Sequence, residues 1–238
     1  MFLRSFMIQG SWNYRTLIGH GFAFVLLPAL REIYRDRPAD LRAAVTRHAD
    51  VFNSHPYVIG IAAGAVARLE AEAEDPELIR RFKTALRGSL GSFGDRLVWA
   101  GWRPVCALLA LVLAFAGLPW WFCAGAFLGI YNAGHFAIRA WSFALGFEAG
   151  RGVGQRLRAS RLIEVQRALG GTGAFLLGLL LPVAIGGGFA TGTPPLAVAL
   201  IAGLAAIAGL RWKGRLRTPL FVALAAFSLL GLAAGAAR

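Results

Sequence analysis

The sequence predicts an all-α membrane protein, with amphipathic and re-entrant helices in its N-terminal part and transmembrane helices in its C-terminal part. Three observations carry this expectation. Of the 238 residues, 57% are hydrophobic and the mean hydropathy is +0.59, more apolar surface than a soluble domain of this length needs to bury. The formal charge is +13, yet it is unevenly spread: from Arg31 to Arg103 twelve Lys or Arg face ten Asp or Glu, whereas beyond Arg103 eleven face only Glu148 and Glu164. Basic residues concentrated between apolar runs follow the positive-inside pattern. A nucleic-acid binder would instead cluster them with aromatics on a soluble face, so no nucleic acid is expected as a partner. Thirdly, the apolar runs after Pro104 are punctuated by Pro119, Trp120-Trp121 and basic connections, as in a chain that crosses a bilayer repeatedly.

The elements follow in order. Leu17 to Leu30 is an apolar run broken by Gly19, Gly21 and Pro28, short for a span of about 20 residues and suited to an interfacial or re-entrant helix. Pro38 fits the first turn of a helix from about Ala39 to Phe52, which Asn53-Ser54-His55-Pro56 stops. Asp75 can cap the next helix, with Pro76 at its first position and Glu77 at its positive dipole end. That helix is expected to end near Arg87 and to present Arg80, Arg81 and Lys83 on a solvated face. Gly88 to Pro104, GSLGSFGDRLVWAGWRP, then reads as a glycine-punctuated turn at the membrane edge carrying Asp95, Arg96 and Arg103. Residues 1–103 are accordingly expected to form a cytoplasmic and interfacial region, and residues 104–238 a transmembrane one.

In the second region, Val105 to Leu118 and Trp120 to about Phe147 form an out-and-back hairpin, the tryptophans serving as interface anchors. Asn132, His135, Arg139 and Glu148 interrupt the second run, which therefore packs partly against protein. The basic stretch Gly150 to Arg167 precedes apolar segments Ala174 to Phe189 and Leu196 to Leu210; Arg211 to Arg217 is basic again and Pro219 to Ala236 is the last span. If both basic stretches face the cytoplasm, the first hundred residues lie inside and Arg238 outside. The N-terminus lacks the apolar core and small-residue cleavage site of a secretory signal, and Cys106 and Cys123, set in apolar runs, read as packed thiols.

Chemical motifs are sparse. No phosphate-binding loop, HExxH or GxSxG pattern occurs, which disfavours a self-sufficient enzyme, and no metal or cofactor is expected. Polar groups set among glycines and apolar residues are the candidates. Gln9, Trp12 and Asn13 supply two carboxamides and an indole suited to sugar hydroxyls and the apolar face of a sugar ring, although the carboxamides can equally satisfy backbone at a helix start. Asn53 and His55 beside Pro56 are open between a ligand role and a structural turn, and Asp95 between a ligand role and an ion pair with Arg96 or Arg103.

Taken in order, FLRSFMIQGSWNYRTLIGHGFAFVLLPALREIY from Phe2, RHADVFNSHPY from Arg47 and GSLGSFGDRLVWAGWRPV from Gly88 resemble the IID membrane subunit of the mannose, fructose and sorbose family of the bacterial phosphotransferase system. Ser89, Arg96 and the pair Gly101-Trp102 depart from that family's usual pattern. The resemblance implies a multi-pass protein of the bacterial inner membrane, partnered by a IIC subunit in a trimer of IIC–IID heterodimers. It also implies a hexose-type sugar moved inward and phosphorylated through separate IIA and IIB proteins, this chain having no phosphorylated residue of its own. Gln9, Trp12, Asn13, Asn53, His55, Asp95 and Arg103 are then the positions expected to serve substrate binding or translocation. The alternative is a IID-like scaffold or regulatory protein that has lost transport.

Overall fold

The computed structural model describes residues 1–186; the segments Leu196 to Leu210, Arg211 to Arg217 and Pro219 to Ala236 lie outside the described residues. A short 3-10 turn at Leu3–Met7 is followed by helices α1 (Gly19–Ile33), α2 (Pro38–Ala49), α3 (Ile59–Ala71) and α4 (Pro76–Gly94). A π-helical segment, Asp95–Trp102, joins α4 to α5 (Arg103–Phe115), and α6 (Trp120–Ala149), α7 (Val153–Ala159) and α8 (Leu162–Gly186) complete the order. Among the described residues there is no strand; two isolated bridges, Asn13 to Leu17 and Leu17 to Phe52, are the β-type pairings. Two compact units emerge, one of Met1–Arg96 with Ala133–Leu162 and one of Leu97–Asn132 with the chain from Ile163.

The first unit is built around α1 and α3. Phe22, Val25, Leu26 and Leu30 of α1 pack with Ile59, Ile61, Ala62, Val66 and Leu69 of α3 in one apolar core, shared with Phe52, Ile79 and Phe143. Helix α3 is buried almost throughout because its neighbours approach closely. A Cβ on Gly60 would fall 2.3 Å from Ser142 Oγ, and one on Gly64 2.7 Å from the Phe147 nitrogen, so the α3–α6 contact depends on these missing methyls. Pro28 lies inside α1 and cannot donate to the carbonyl of Phe24; Arg4 Nη1 donates to that oxygen instead at 3.1 Å. Asp75 caps α4 as its sequence suggests, its Oδ2 accepting from the Leu78 amide at 3.0 Å.

Three expectations are corrected. Lys83 is not on a solvated face: it is 3% exposed, and its Nζ donates to the carbonyls of Arg47 at 2.7 Å and His48 at 3.5 Å. The last carbonyls of α2 have no partner within their own helix and carry its negative dipole end, which accounts for a buried ammonium there. Gly88 to Pro104 is likewise no turn. The chain stays helical from Pro76 to Phe115, because Leu86, Leu90 and Gly94 fall at successive four-residue spacings on one buried side. Gly88 and Gly91 impose no break; a Cβ on either would meet nothing within 4 Å. The irregularity appears instead as the wider π-helical turns, just before Pro104, which has no N–H and whose ring presses on the carbonyl four residues back. Helix α2 also ends at Ala49, three residues before Phe52, which pairs with Leu17.

In the second unit, Leu179 of α8 packs on Val112 and Phe115 of α5, and Trp102 Nε1 donates to the Tyr131 carbonyl at 3.2 Å. Pro76–Phe115 is long and apolar enough to cross a membrane. Trp120 and Trp121 at the start of α6 are exposed.

Candidate functional site

The first two sequence motifs, and the third as far as Arg96, come together within the first unit. In the first motif, Ile8 is buried while Gln9 and the segment through Trp12 turn outward. Asn13 closes the loop: its Oδ1 accepts from the amides of Arg15 at 3.0 Å and Thr16 at 2.9 Å, and its Nδ2 donates to Ser11 O at 3.1 Å and Thr16 Oγ1 at 2.8 Å. This is an Asx-type turn in which both ends of the carboxamide are committed to the chain itself. Leu17 adopts φ +55°, a left-handed conformation unusual for a branched side chain, and backbone bonds tie it on both sides. Asn13 and Leu17 exchange bonds at 3.2 and 2.8 Å, while Ile18 N donates to Phe52 O at 3.0 Å and Phe52 N to Thr16 O at 3.2 Å.

That pairing delivers the second motif to the first. Asn53, next to Phe52, is exposed, whereas His55 is 2% exposed and its Nδ1 accepts from the Tyr57 amide at 3.2 Å. The third motif arrives through Gly94: a Cβ there would lie 2.2 Å from His55 Cβ, so α4 rests directly on the histidine. Asp95 follows on the exposed side. Among the described residues it pairs with neither Arg96 nor Arg103, yet its charge reaches His55. Burial pushes the His55 imidazole down to about 4; Asp95 opposes that shift, and Arg139 and His135 reinforce it. Arg103 belongs to the second unit, where its guanidinium lies 5.4 Å from the Trp99 ring centre.

Two buried polar centres have no counterpart among the sequence candidates. The Tyr57 ring stacks on His135 at 3.8 Å, and Arg139 Nε donates to His135 Nε2 at 3.2 Å. Arg139 is 2% exposed; its Nη1 donates to Ser5 O at 2.7 Å and Ser5 Oγ at 2.8 Å, and its guanidinium faces the rings of Phe6 and Tyr57. Among the described residues no carboxylate pairs with it, so carbonyl, hydroxyl, imidazole and π faces carry the charge. His135 and Arg139 interrupting an apolar run were the sequence signal for this cluster.

The other centre is Glu70, whose side chain is wholly buried. Arg47 donates to it twice, at 2.8 and 2.6 Å, His48 Nε2 once at 2.7 Å, and the Tyr34 hydroxyl once. Burial works against the carboxylate, but the bonds from His48, Arg47 and Tyr34 outweigh it and hold its pKa at about 2. Burial together with the bond to Glu70 pushes the Tyr34 phenol up to about 12. Burial also lowers the His48 imidazole, so that it serves Glu70 as a neutral donor. Among the described residues no group of His, Cys, Asp and Glu is arranged to hold a metal.

Among the described residues, helices without strands, one helix long and apolar enough to cross a membrane and polar clusters held inside apolar packing define an all-α membrane protein. The comparisons narrow the class. A family model for the IID component of the mannose/fructose/sorbose family of phosphotransferase systems matches residues 1–226, and the chain belongs to that family. It is 33% identical over 190 residues to the sorbose-specific EIID component of Klebsiella pneumoniae, an alignment covering 76% of this chain and 66% of the relative. It is 30% identical over 191 residues to the mannose-specific EIID component of Escherichia coli K12, covering 76% and 65%. The chain thus spans just under two thirds of the length of these relatives. A chain in the cryo-EM structure of the mannose transporter ManYZ with microcin E492 superposes with a TM-score of 0.59 at 27% identity, covering 99% of this chain and 94% of that one.

Proposed function

We propose that this chain is the membrane IID subunit of a mannose-family sugar permease, pairing with a IIC subunit to translocate a hexose-type sugar whose phosphorylation is supplied by IIA and IIB. The observation that carries the reading is the convergence of the three family motifs, with Gln9 and Trp12 exposed on a rigid Asn13 turn, Asn53 beside it, and Asp95 exposed next to buried His55. Gln9, Trp12, Asn53 and Asp95 are the groups able to meet a sugar or the IIC surface. His55 and Asn13 hold the backbone under them. Residues 1–103 would form the interfacial part that carries these motifs and residues 104–238 the transmembrane part of a multi-pass inner-membrane protein, in a trimer of IIC–IID pairs. The chain would act as a non-catalytic subunit, which agrees with relatives named as EIID components.

Co-expression with a mannose-family IIC subunit, in a host lacking its own mannose-family permease, tests the proposal. The expected result is a co-purifying pair, with phosphorylated sugar accumulating only when IIA and IIB are present. Absence of any stable pair would defeat it. A IID-like scaffold without transport is the second reading, favoured by the complete internal use of the Asn13 carboxamide; it predicts a stable pair that takes up no sugar.

A further inference from the structure

We propose that the basic connection around α7 is a binding site for the phosphodiester headgroup of an anionic phospholipid. Arg151, Gly152, Gly154, Gln155 and Arg158 line an open cleft of about 420 Å³. The helix is oriented by its apolar residues: Val153 is fully buried and Leu157 packs on the same core, which leaves Arg156 and Arg158 exposed. Arg151 is steadied by Glu74, to whose Oε1 its Nη1 donates at 3.0 Å. Among the described residues no carboxylate pairs with Arg156, Arg158 or Arg161, so their charge is uncompensated. Gly152 and Gly154 leave the cleft floor open, since a Cβ on either would meet nothing within 4 Å.

The choice of a lipid rests on where this charge stands in the chain. The connection follows the 30-residue α6 and precedes the 25-residue α8, both predominantly apolar. On the multi-pass reading proposed above, on which this inference rests, a short arginine-rich link between such helices sits where lipid headgroups lie, and anionic headgroups attract juxtamembrane arginines. Guanidiniums at the cleft suit phosphodiester oxygens in forked geometry, and the Gln155 carboxamide can donate to or accept from a glycerol hydroxyl.

The test titrates the full-length chain, in a neutral detergent, with a tail-labelled phosphatidylglycerol and follows fluorescence anisotropy. Phosphatidylcholine and inorganic phosphate serve as competitors. For Arg151→Gln/Arg158→Gln, which removes both guanidiniums that line the cleft, affinity for phosphatidylglycerol is expected to fall about thirtyfold at low salt, about fivefold for each arginine lost near anionic headgroups. The equally charged control Arg42→Gln/Arg80→Gln, at exposed sites on α2 and α4, is expected to bind as the unaltered chain does. Should the glutamine variant misfold, Arg151→Lys/Arg158→Lys keeps the charge and is expected to bind within about threefold, while salt alone weakens the unaltered chain. Equal affinity for phosphatidylcholine, an unchanged glutamine variant, salt-independent binding or an equal loss in the control would each overturn the proposal. Displacement by inorganic phosphate at the lipid's own concentration would reassign the cleft to a free anion and overturn it too. Lipid binding is read without sugar or IIC, so its failure leaves the transport reading untouched.

Discussion

At Glu70 a single carboxylate gathers Tyr34, Arg47 and His48, while Lys83 closes the end of the helix that carries Arg47. Glu70→Gln keeps the shape but leaves Arg47 as a buried cation without its counter-charge, a loss of about 3–5 kcal/mol in a denaturant titration. The pH dependence has a definite sign. His48 and His55 are held neutral by burial, His55 at about 4, whereas in the unfolded chain both take up protons below about 6.5. Stability is therefore full above that value and declines as the pH falls toward about 4. Glu70 adds a second decline between its ordinary value of 4.5 and its folded value of about 2. A melting temperature flat between pH 7 and 4.5 would contradict the first of these. At the surface, Asn13→Ala should cost about 1–2 kcal/mol through its turn, with Asn13→Asp recovering part because its oxygen still accepts. Trp12→Ala should spare stability and, on the proposed transport role, weaken sugar uptake about three- to tenfold, the range for one aromatic contact. These side chains were named from the sequence for their chemistry; their division into turn builder and exposed contact was not legible there, since only the folded loop shows which amide donors are already taken.

The helices repeat the lesson one level up. Their existence is largely written in the chain: Asp75 caps as its position before Pro76 implies, and the break at Pro119 falls where it should. Their neighbours are not. Lys83 sits two residues from Arg81 on a helix that looks wholly solvated, and only the end of α2 explains its burial. The glycines of Gly88 to Pro104 looked alike in sequence, yet they differ in what surrounds them. Gly88→Ala and Gly91→Ala, with open space around the new methyl, should each stabilise α4 by up to about 1 kcal/mol. Gly94→Ala drives its methyl into His55 and should destabilise by about 1–3 kcal/mol. Thermal melts of the three single variants separate these outcomes, and equal effects would mean that α4 does not rest on His55.

For the molecule as a whole, apolar composition and the placement of arginines were sufficient to indicate a helical membrane protein, because both are one-dimensional properties. The return of α6 to the first unit was not, since Ser5 and Arg139 are 134 residues apart and nothing local couples them. On the positive-inside rule the Arg151 to Arg167 connection is expected on the cytoplasmic side. A cysteine introduced at Gly154, which faces open space, should then react with a membrane-impermeant thiol reagent in inverted vesicles and not in right-side-out cells. The opposite pattern would reverse the topology.

The closing of the first unit by Ala133–Leu162, far along the chain, also sets an order on its birth. When the ribosome has completed only the first hundred or so residues, Ser5 has no Arg139, and the methyl-free groove of Gly60 and Gly64 has no α6 to fill it. The nascent chain must carry that apolar furrow unsealed until about forty more residues have appeared, the interval in which insertion machinery and quality-control proteases would meet it. A stop codon after Asn132 should consequently yield a fragment cleared within minutes of synthesis, whereas one after Arg167 should leave a longer-lived product in pulse-chase labelling.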